Sequence, residues 1–284
     1  DSAYYSLVEH STSHIETEHL VKFGMNLGYN SCTWGAQRIR RNEQRLGFNI
    51  PWTVLFQMDD LQCLDHLFEY DSAITEGEQL GIYTWGLLSR TDPMALLPLI
   101  EHHPDSAFFL FCRPEDVTSA LLDEIIPIKH LMLVVSWEDG TDEVCAMLRD
   151  AQLPYSVYVP YDQNDLQSIT SGELFADTQQ LYPLFIILTA KPDCPTKVQD
   201  LVYQAVVKAR NGQSYQTIPW ELYHDIRSLD EIISDDACCV LFDGHGQLIA
   251  LDHPDCMPFG SLFEDGITPL IRQAYPKSVP IVSR

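Results

Sequence analysis

The sequence predicts an α/β protein in which β-strands alternate with α-helices. Six short apolar runs rich in Val, Ile, Leu and Phe recur between residues 51 and 190, and helical signals follow each run. Continuous apolar runs are typical of parallel strands that are buried on both faces. Six βα units fit an open partial barrel or a doubly wound sheet. A chain of 284 residues has room for one sizeable core and a small second unit.

Helix-start signals follow the predicted strands along the chain. Asp92 and Pro93 fit the N-cap and first position of the helix after the second strand. Glu115 and Asp116 lie in the first turn of the helix after the third strand, where acidic side chains are favourable. We therefore expect a six-stranded (βα)6 partial barrel over residues 51–195. Its predicted strands are Trp52–Met58, Gly81–Ser89, Ala107–Cys112, Leu131–Trp137, Tyr155–Pro160 and Leu184–Ala190.

The segments on either side of this core are expected to be smaller. Residues 1–50 predict an N-terminal helical extension. Residues 196–284 predict a small C-terminal α+β unit that begins with helices at Thr196–Arg210 and Ile218–Ile233. Two apolar runs around the glycine-rich turn Asp243–Gly246 then indicate a β-hairpin.

Composition argues against several classes of partner. The chain has 17 Lys and Arg against 41 Asp and Glu, a net charge of −24. Such a surface repels phosphate backbones, so we expect no nucleic acid partner, and a basic peptide is electrostatically easier to bind. No apolar run approaches the roughly 20 residues that a membrane helix needs. Eight cysteines without a C-x2-C pair predict a reducing, cytoplasmic location rather than a disulfide scaffold.

One basic cluster interrupts this acidic composition. Arg38, Arg40, Arg41 and Arg45 fall within eight positions. They are candidate partner-binding residues, and the alternative is that they pair with the protein's own carboxylates.

The first predicted strand runs into three candidate metal ligands, Asp59, Cys63 and His66, at positions i, i+4 and i+7. A strand followed by this spacing resembles the cluster loop of radical S-adenosylmethionine (SAM) enzymes, which carries C-x3-C-x2-C. Only one of the three thiolates is present here. An Asp-Cys-His set suits a single zinc or iron ion instead. The other alternative is a spacing that persists without any ligand.

Two further strands extend the resemblance. In the family, the second strand ends in Gly-Gly-Glu-Pro, which holds the amino group of SAM. Gly86 matches a glycine of that motif, whereas Leu87 stands where the acid is expected. The fourth strand runs into Ser136 and then Gly140, similar to the family's Ser-x-Asp-Gly ending. The resemblance implies that Gly86 and Ser136 belong to a vestigial SAM site.

The C-terminal region resembles a SPASM or twitch-type unit. The hairpin around Asp243–Gly246 is followed by Phe259–Leu262, a glycine-containing segment before a short helix. SPASM units bind auxiliary clusters through several cysteines, and this region offers only Cys238, Cys239 and Cys256. Three thiols are too few for the usual four ligands.

Together these features resemble a degenerate radical SAM/SPASM-type protein that lacks the complete C-x3-C-x2-C motif. The resemblance implies a peptide- or protein-binding subunit, or a partner of an active radical SAM paralogue, in peptide or protein modification. The degenerate motifs favour a protein without enzymatic activity. No cofactor is expected, and the alternatives are an iron–sulfur cluster with SAM or a single Zn or Fe ion.

Three rival hypotheses remain open at the level of sequence. One is an enzyme with a mononuclear metal site at Asp59, Cys63 and His66. Another is a variant radical SAM enzyme that modifies peptides. The last is a βα protein whose resemblance to the family is accidental.

Overall fold

The structure is a computed structural model that describes residues 2–58, 61–234, 238–250 and 259–277. The chain divides into two compact units. Unit 1 is formed by Asp1–Phe23 and Leu110–Asp225, and unit 2 by Gly24–Phe109 and Ile226–Arg284. Each unit therefore combines an early and a late stretch of the chain. The predicted division at residues 50 and 195 stays a prediction.

The described residues contain nine strands, which hydrogen-bond in the order β7-β6-β5-β4-β3-β2-β1-β8-β9. The pairs β1–β2, β1–β8, β4–β5, β5–β6 and β6–β7 are parallel, and β8–β9 is antiparallel. The strands are β1 Thr53–Met58, β2 Thr84–Ser89, β3 Ala107–Cys112, β4 Leu131–Ser136, β5 Tyr155–Tyr161, β6 Phe185–Ala190, β7 Ile218–Glu221, β8 Val240–Phe242 and β9 Leu248–Ala250.

Helices connect the strands. The α-helices among the described residues are α1 Tyr4–His14, α2 Thr17–Gly24, α3 Ala36–Leu46, α4 Leu67–Leu80, α5 Leu97–His102, α6 Ser119–Ile125, α7 Thr141–Asp150, α8 Leu166–Ser171, α9 Glu173–Thr178, α10 Thr196–Gly212, α11 Leu222–Ile233, α12 Leu262–Asp265 and α13 Ile267–Ala274. A π-helix, Met25–Gly35, joins α2 to α3, and a 3-10 helix, Leu61–His66, precedes α4. The N-terminal segment is therefore helical, as predicted.

Unit 2 is built around β1, which has β2 on one side and β8 on the other. Phe56 of β1 is fully buried and stacks on Trp85 of β2 at 5.7 Å between ring centroids. Its ring also lies 5.0 Å from that of Tyr70 on α4. Large aromatic surfaces removed from water in this way supply much of the stabilisation of a core.

The start of β1 is held by a buried carboxylate. Asp230 on α11 is fully buried, and its Oδ1 accepts a hydrogen bond of 2.7 Å from the backbone N–H of Trp52. A buried N–H without such a partner would be costly. This bond therefore fixes where the strand enters the sheet.

Unit 1 is built around β4, whose six residues are all buried. The register pairs Val135 with Val157 of β5, and Val157 with Ile186 of β6. Helix α10 packs against both β7 and α8. Apolar residues on both faces of these parallel strands explain the continuous apolar runs in the sequence.

The structure confirms the α/β class but corrects the number of strands. All six predicted strands are present. The predicted helix Ile218–Ile233 is wrong in its first turn, because Ile218–Glu221 forms β7, which pairs with β6. Pro219 made this segment look unlike a strand, because proline is disfavoured inside a sheet. Proline is tolerated there because β7 lies at an edge, where one side needs no ladder hydrogen bonds.

The predicted C-terminal hairpin is present as β8 and β9, and it adds two more strands to the count. β8 pairs with β1 in parallel, with Leu55 opposite Leu241. The local sequence predicted the hairpin turn but carried no signal for this distant partner. Among the described residues, no helix is both long enough and apolar enough to cross a bilayer.

Candidate functional site

The loop after β1 is the first place where ligand-type side chains were expected. β1 ends at Met58, and the 3-10 helix Leu61–His66 leads directly into α4. The strand-to-helix path of the cluster loop is therefore present. Asp59 lies outside the described residues, so the complete set Asp59, Cys63 and His66 stays a prediction.

The Cys63 thiol is engaged with the C-terminal hairpin. Cys63 is fully buried, and its Sγ donates a hydrogen bond of 3.3 Å to the carbonyl oxygen of Gly244, in the turn between β8 and β9. Burial raises the pKa of the neighbouring Tyr70 hydroxyl, and the Cys63 thiol and Asp243 raise it further. The Cys63 thiol is therefore engaged in a contact within unit 2.

The His66 imidazole is held by a different contact. It stacks on Phe263 of α12 with ring centroids 3.9 Å apart and an angle of 6° between the planes. Its Nδ1 lies 3.6 Å from a carboxylate oxygen of Glu69 on α4. Both ligand-type residues of this loop are therefore packed against residues near the end of the chain.

These donors do not fit the cluster of a radical SAM enzyme. Such a cluster is held by cysteine thiolates. The three loop positions carry one thiol, one imidazole and one carboxylate, and the thiol is directed at a backbone carbonyl. A hard carboxylate oxygen and a borderline imidazole do not replace two soft thiolates. A single ion bound by this set stays a prediction.

Gly86 lies within β2 rather than at its carboxyl end. It is buried and faces Leu55 in the parallel register, and the strand continues to Ser89. Leu87, which follows it, is fully buried. The nearest acid beyond the strand is Asp92, whose Oδ1 accepts from the Met94 backbone N–H at 3.0 Å and so caps a 3-10 helix. Leu87 therefore places a buried apolar side chain at the position where the resemblance expects an acid.

Ser136 lies where it was expected, at the end of β4, and it is buried. Its hydroxyl donates a hydrogen bond to the carboxylate of Glu138. Thr141 Oγ1 then donates to the Ser136 carbonyl at 2.8 Å and accepts from the Glu138 backbone N–H at 2.9 Å. The loop therefore uses the Ser136 hydroxyl itself. A SAM-binding role for Gly86 or Ser136 stays a prediction.

The arginine cluster lies on α3 and contacts several neighbouring groups. Arg40 donates two hydrogen bonds of 2.9 Å to the carbonyls of Ile232 and Ile233, at the end of α11. Arg38 lies over the Trp34 ring at 5.2 Å. Arg45 donates to Asn42 at 3.1 Å, and Arg41 is exposed. Partner binding by Arg38, Arg40, Arg41 and Arg45 stays a prediction.

Unit 1 contains a buried polar cluster that was not predicted from the sequence. Glu221 at the end of β7 is fully buried, and its carboxylate accepts from Tyr161 Oη at 2.9 Å and from the backbone N–H of His224 at 2.8 Å. His224 Nδ1 lies 2.8 Å from the same carboxylate. The side-chain hydrogen bond to Glu221, together with the negative charges of Glu221 and Asp200, raises the pKa of His224. The pairing of β7 with β6 brings Glu221 within reach of Tyr161 on β5. Local sequence patterns could therefore not reveal the cluster.

Comparison with known proteins gives a fold but no close relative. No family model and no curated protein matches the sequence significantly. Three crystal structures of Streptococcus suis SuiB match it at 9% identity. SuiB bound to its precursor peptide SuiA has a TM-score of 0.56, and the match covers 84% of this chain and 68% of that chain. For SuiB bound to S-adenosylmethionine the values are 0.57, 82% and 70%. For the structure described simply as SuiB they are 0.58, 84% and 68%.

The fold is radical SAM-like. A likeness at 9% identity carries the fold alone. This fold agrees with the course of the chain from β1 through the 3-10 helix to α4. The side chains on this segment differ from the three cysteines of the cluster motif.

Proposed function

We propose that this protein is a degenerate member of the radical SAM-like fold that binds a peptide or protein during its modification and does not itself cleave SAM. The likeness to SuiB bound to a precursor peptide, over 84% of the present chain, is the observation that carries the proposal. An active radical SAM paralogue is the expected partner in such a system. The SPASM-like character of the C-terminal region is part of the same proposal.

Two features of unit 2 argue against SAM cleavage. Reductive cleavage requires a cluster with an open iron, and the loop supplies one buried thiol that is bonded to Gly244. Leu87 replaces the acid that would hold the ammonium group of SAM, and it is fully buried. Two independent features of the same chemistry are therefore changed. A binding role does not need either of them.

The charge of the chain favours a basic peptide. A net charge of −24 creates a negative potential around the whole chain. Lysine and arginine side chains are attracted by this potential, and acidic peptides are repelled. The exposed Trp34, with Arg38 over its ring, is the expected contact for a partner protein, because aromatic and arginine side chains are enriched at interfaces.

Peptide binding can be tested with two labelled synthetic peptides that share one scaffold, one with lysine and one with glutamate at alternate positions. We expect the lysine peptide to bind at least about tenfold more tightly at low salt, with the advantage falling at physiological ionic strength. Fluorescence anisotropy measures both affinities. Equal affinities, or no binding of either peptide, would contradict the proposal.

The absence of a cluster can be tested by measuring iron and acid-labile sulfide after anaerobic reconstitution. We expect no stoichiometric cluster, and the same metal content in Cys63→Ala as in the wild type. Cys145→Ala, which removes another fully buried thiol, is the matched control. About four iron atoms per chain, lost in Cys63→Ala and kept in Cys145→Ala, would show an active-type cluster and overturn the proposal.

A further inference from the structure

Two adjacent histidines and a carboxylate converge in unit 2. Asp71 lies on α4, His102 is the last residue of α5, and His103 caps that helix. One side-chain ligand atom from each residue lies within 4.8 Å of the other two. Asp71 and the histidines are 31 and 32 residues apart in the chain, so only the packing of α5 against α4 brings them together.

One carboxylate oxygen of Asp71 contacts both histidines. Its Oδ1 lies 3.2 Å from Nε2 of His103 and is also in contact with Nδ1 of His102. In a tetrahedral zinc site with bonds of about 2.0–2.1 Å, neighbouring ligand atoms are about 3.3 Å apart. A small shift of the exposed His102 ring would therefore place all three ligand atoms around one ion.

A carboxylate that is itself hydrogen-bonded lies on the other side of the His103 ring. Its Nδ1 lies 3.5 Å from Oε1 of Glu78, and Ser106 Oγ donates to the same oxygen at 2.7 Å. Trp85 Nε1 donates to Ser106 Oγ at 3.2 Å and completes the chain. A carboxylate beside the far nitrogen helps to hold the ring with Nε2 towards Asp71, as in carboxylate–histidine–zinc arrangements.

The exposures of the three residues fit an ion that binds at the surface. The side chain of His103 is 4% exposed, that of Asp71 26% and that of His102 68%. The buried side is thus formed by an oriented imidazole, and the outer side is open to water. Two nitrogens and one oxygen match the donors that zinc prefers, whereas magnesium and calcium favour oxygen ligands alone.

We propose that Asp71, His102 and His103 form a Zn²⁺ site with water as the fourth ligand. The bound ion connects α4 to the end of α5 and so stabilises unit 2. The site shares no ligand with the loop after β1, so its existence is independent of the proposed peptide-binding function.

The test is a zinc titration of the chelator-treated protein at neutral pH, followed by calorimetry or by competition with a chromophoric chelator. We expect one Zn²⁺ per chain in the wild type and a loss of at least about 100-fold in affinity for His102→Ala. His102 is well exposed, so this variant is expected to fold. Glu78→Gln keeps all three ligands and is expected to bind about 10- to 100-fold more weakly, because it loses only the orienting carboxylate.

His14→Ala is the matched control, because His14 is an exposed helical histidine that stacks on His10 at 4.0 Å in unit 1. Its zinc affinity is expected to equal that of the wild type. Zinc is also expected to raise the Tm of the wild type and of His14→Ala, but not that of His102→Ala. The proposal is overturned if the wild type binds no zinc, if His102→Ala binds it unchanged, or if His14→Ala is the variant that loses it. Simple ion pairing between the histidines and Asp71 gives the first of these results.

Discussion

At the scale of single residues, two buried carboxylates in this protein each accept hydrogen bonds from several donors. Glu43 on α3 is 1% exposed, and it accepts from the backbone N–H of Ile50 at 2.9 Å and from Lys277 at 3.1 Å. Glu221 is fully buried with donors from Tyr161 and His224. Such carboxylates are stable only while their donors are present. These residues therefore fix local structure, and neither of them was identified from the sequence.

The Glu221–His224 pair predicts a specific dependence of stability on pH. Hydrogen bonding to Glu221 raises the folded pKa of His224 above its ordinary value of 6.5. The pair therefore contributes fully below the unfolded pKa, and this contribution is lost as the pH rises through the folded pKa. We expect the free energy of unfolding of the wild type to fall more between pH 6 and pH 9 than that of His224→Gln. Urea denaturation at several pH values measures the difference.

The control for this prediction is His14→Gln, which changes an exposed histidine without a buried carboxylate partner. It is expected to follow the pH profile of the wild type. Parallel profiles for the wild type and His224→Gln would show that the pair is not the source of the pH dependence.

At the scale of secondary structure elements, close packing of α4 on β2 depends on a glycine in the last turn of the helix. A Cβ at Gly77 would lie 2.4 Å from an atom of the Trp85 ring, and Trp85 is fully buried. The absence of a side chain at this position lets the indole lie directly against the helix. Helix propensity alone would favour alanine here by about 1 kcal/mol, so packing has overridden propensity.

Gly77→Ala is therefore expected to destabilise the protein by about 1–3 kcal/mol, because the buried Trp85 ring must move. Gly24→Ala is the matched control, since Gly24 ends α2, is exposed and would have no atom within 4 Å of an added Cβ. That variant is expected to be neutral or slightly stabilising. The urea midpoint measures both effects, and a Gly77→Ala midpoint at or above that of the wild type would contradict this account of the packing.

At the scale of the whole molecule, a radical SAM-like fold is combined with a strongly negative net charge. The fold matches SuiB over 82% to 84% of the chain, yet the loop after β1 carries a single thiol. The net charge of −24 belongs to the chain as a whole and does not come from any one motif. It acts at long range and is weakened by salt. For this reason the proposed peptide binding is expected to depend on ionic strength, whereas zinc binding at Asp71 depends on three local ligands.

The sequence by itself determined the α/β class, six of the strands and the turn of the C-terminal hairpin. Apolar runs, caps and glycine-rich turns act over a few neighbouring residues, so they can be interpreted without knowledge of distant partners. The absence of two loop thiolates was also plain from Asp59 and His66 alone. In contrast, β7 was missed because Pro219 disfavours a strand except at an edge, and whether a strand is at an edge depends on its neighbours.

Only the tertiary structure decided which distant groups meet. It paired β8 with β1, directed the Cys63 thiol at Gly244 and stacked His66 on Phe263. It also brought Asp71 to His102 and His103 across 31 and 32 residues. Contacts of this kind depend on how buried surfaces fit together across the whole core, and local patterns carry no information about them. The fold class is therefore evident from the sequence, whereas the contacts between distant residues are set by packing.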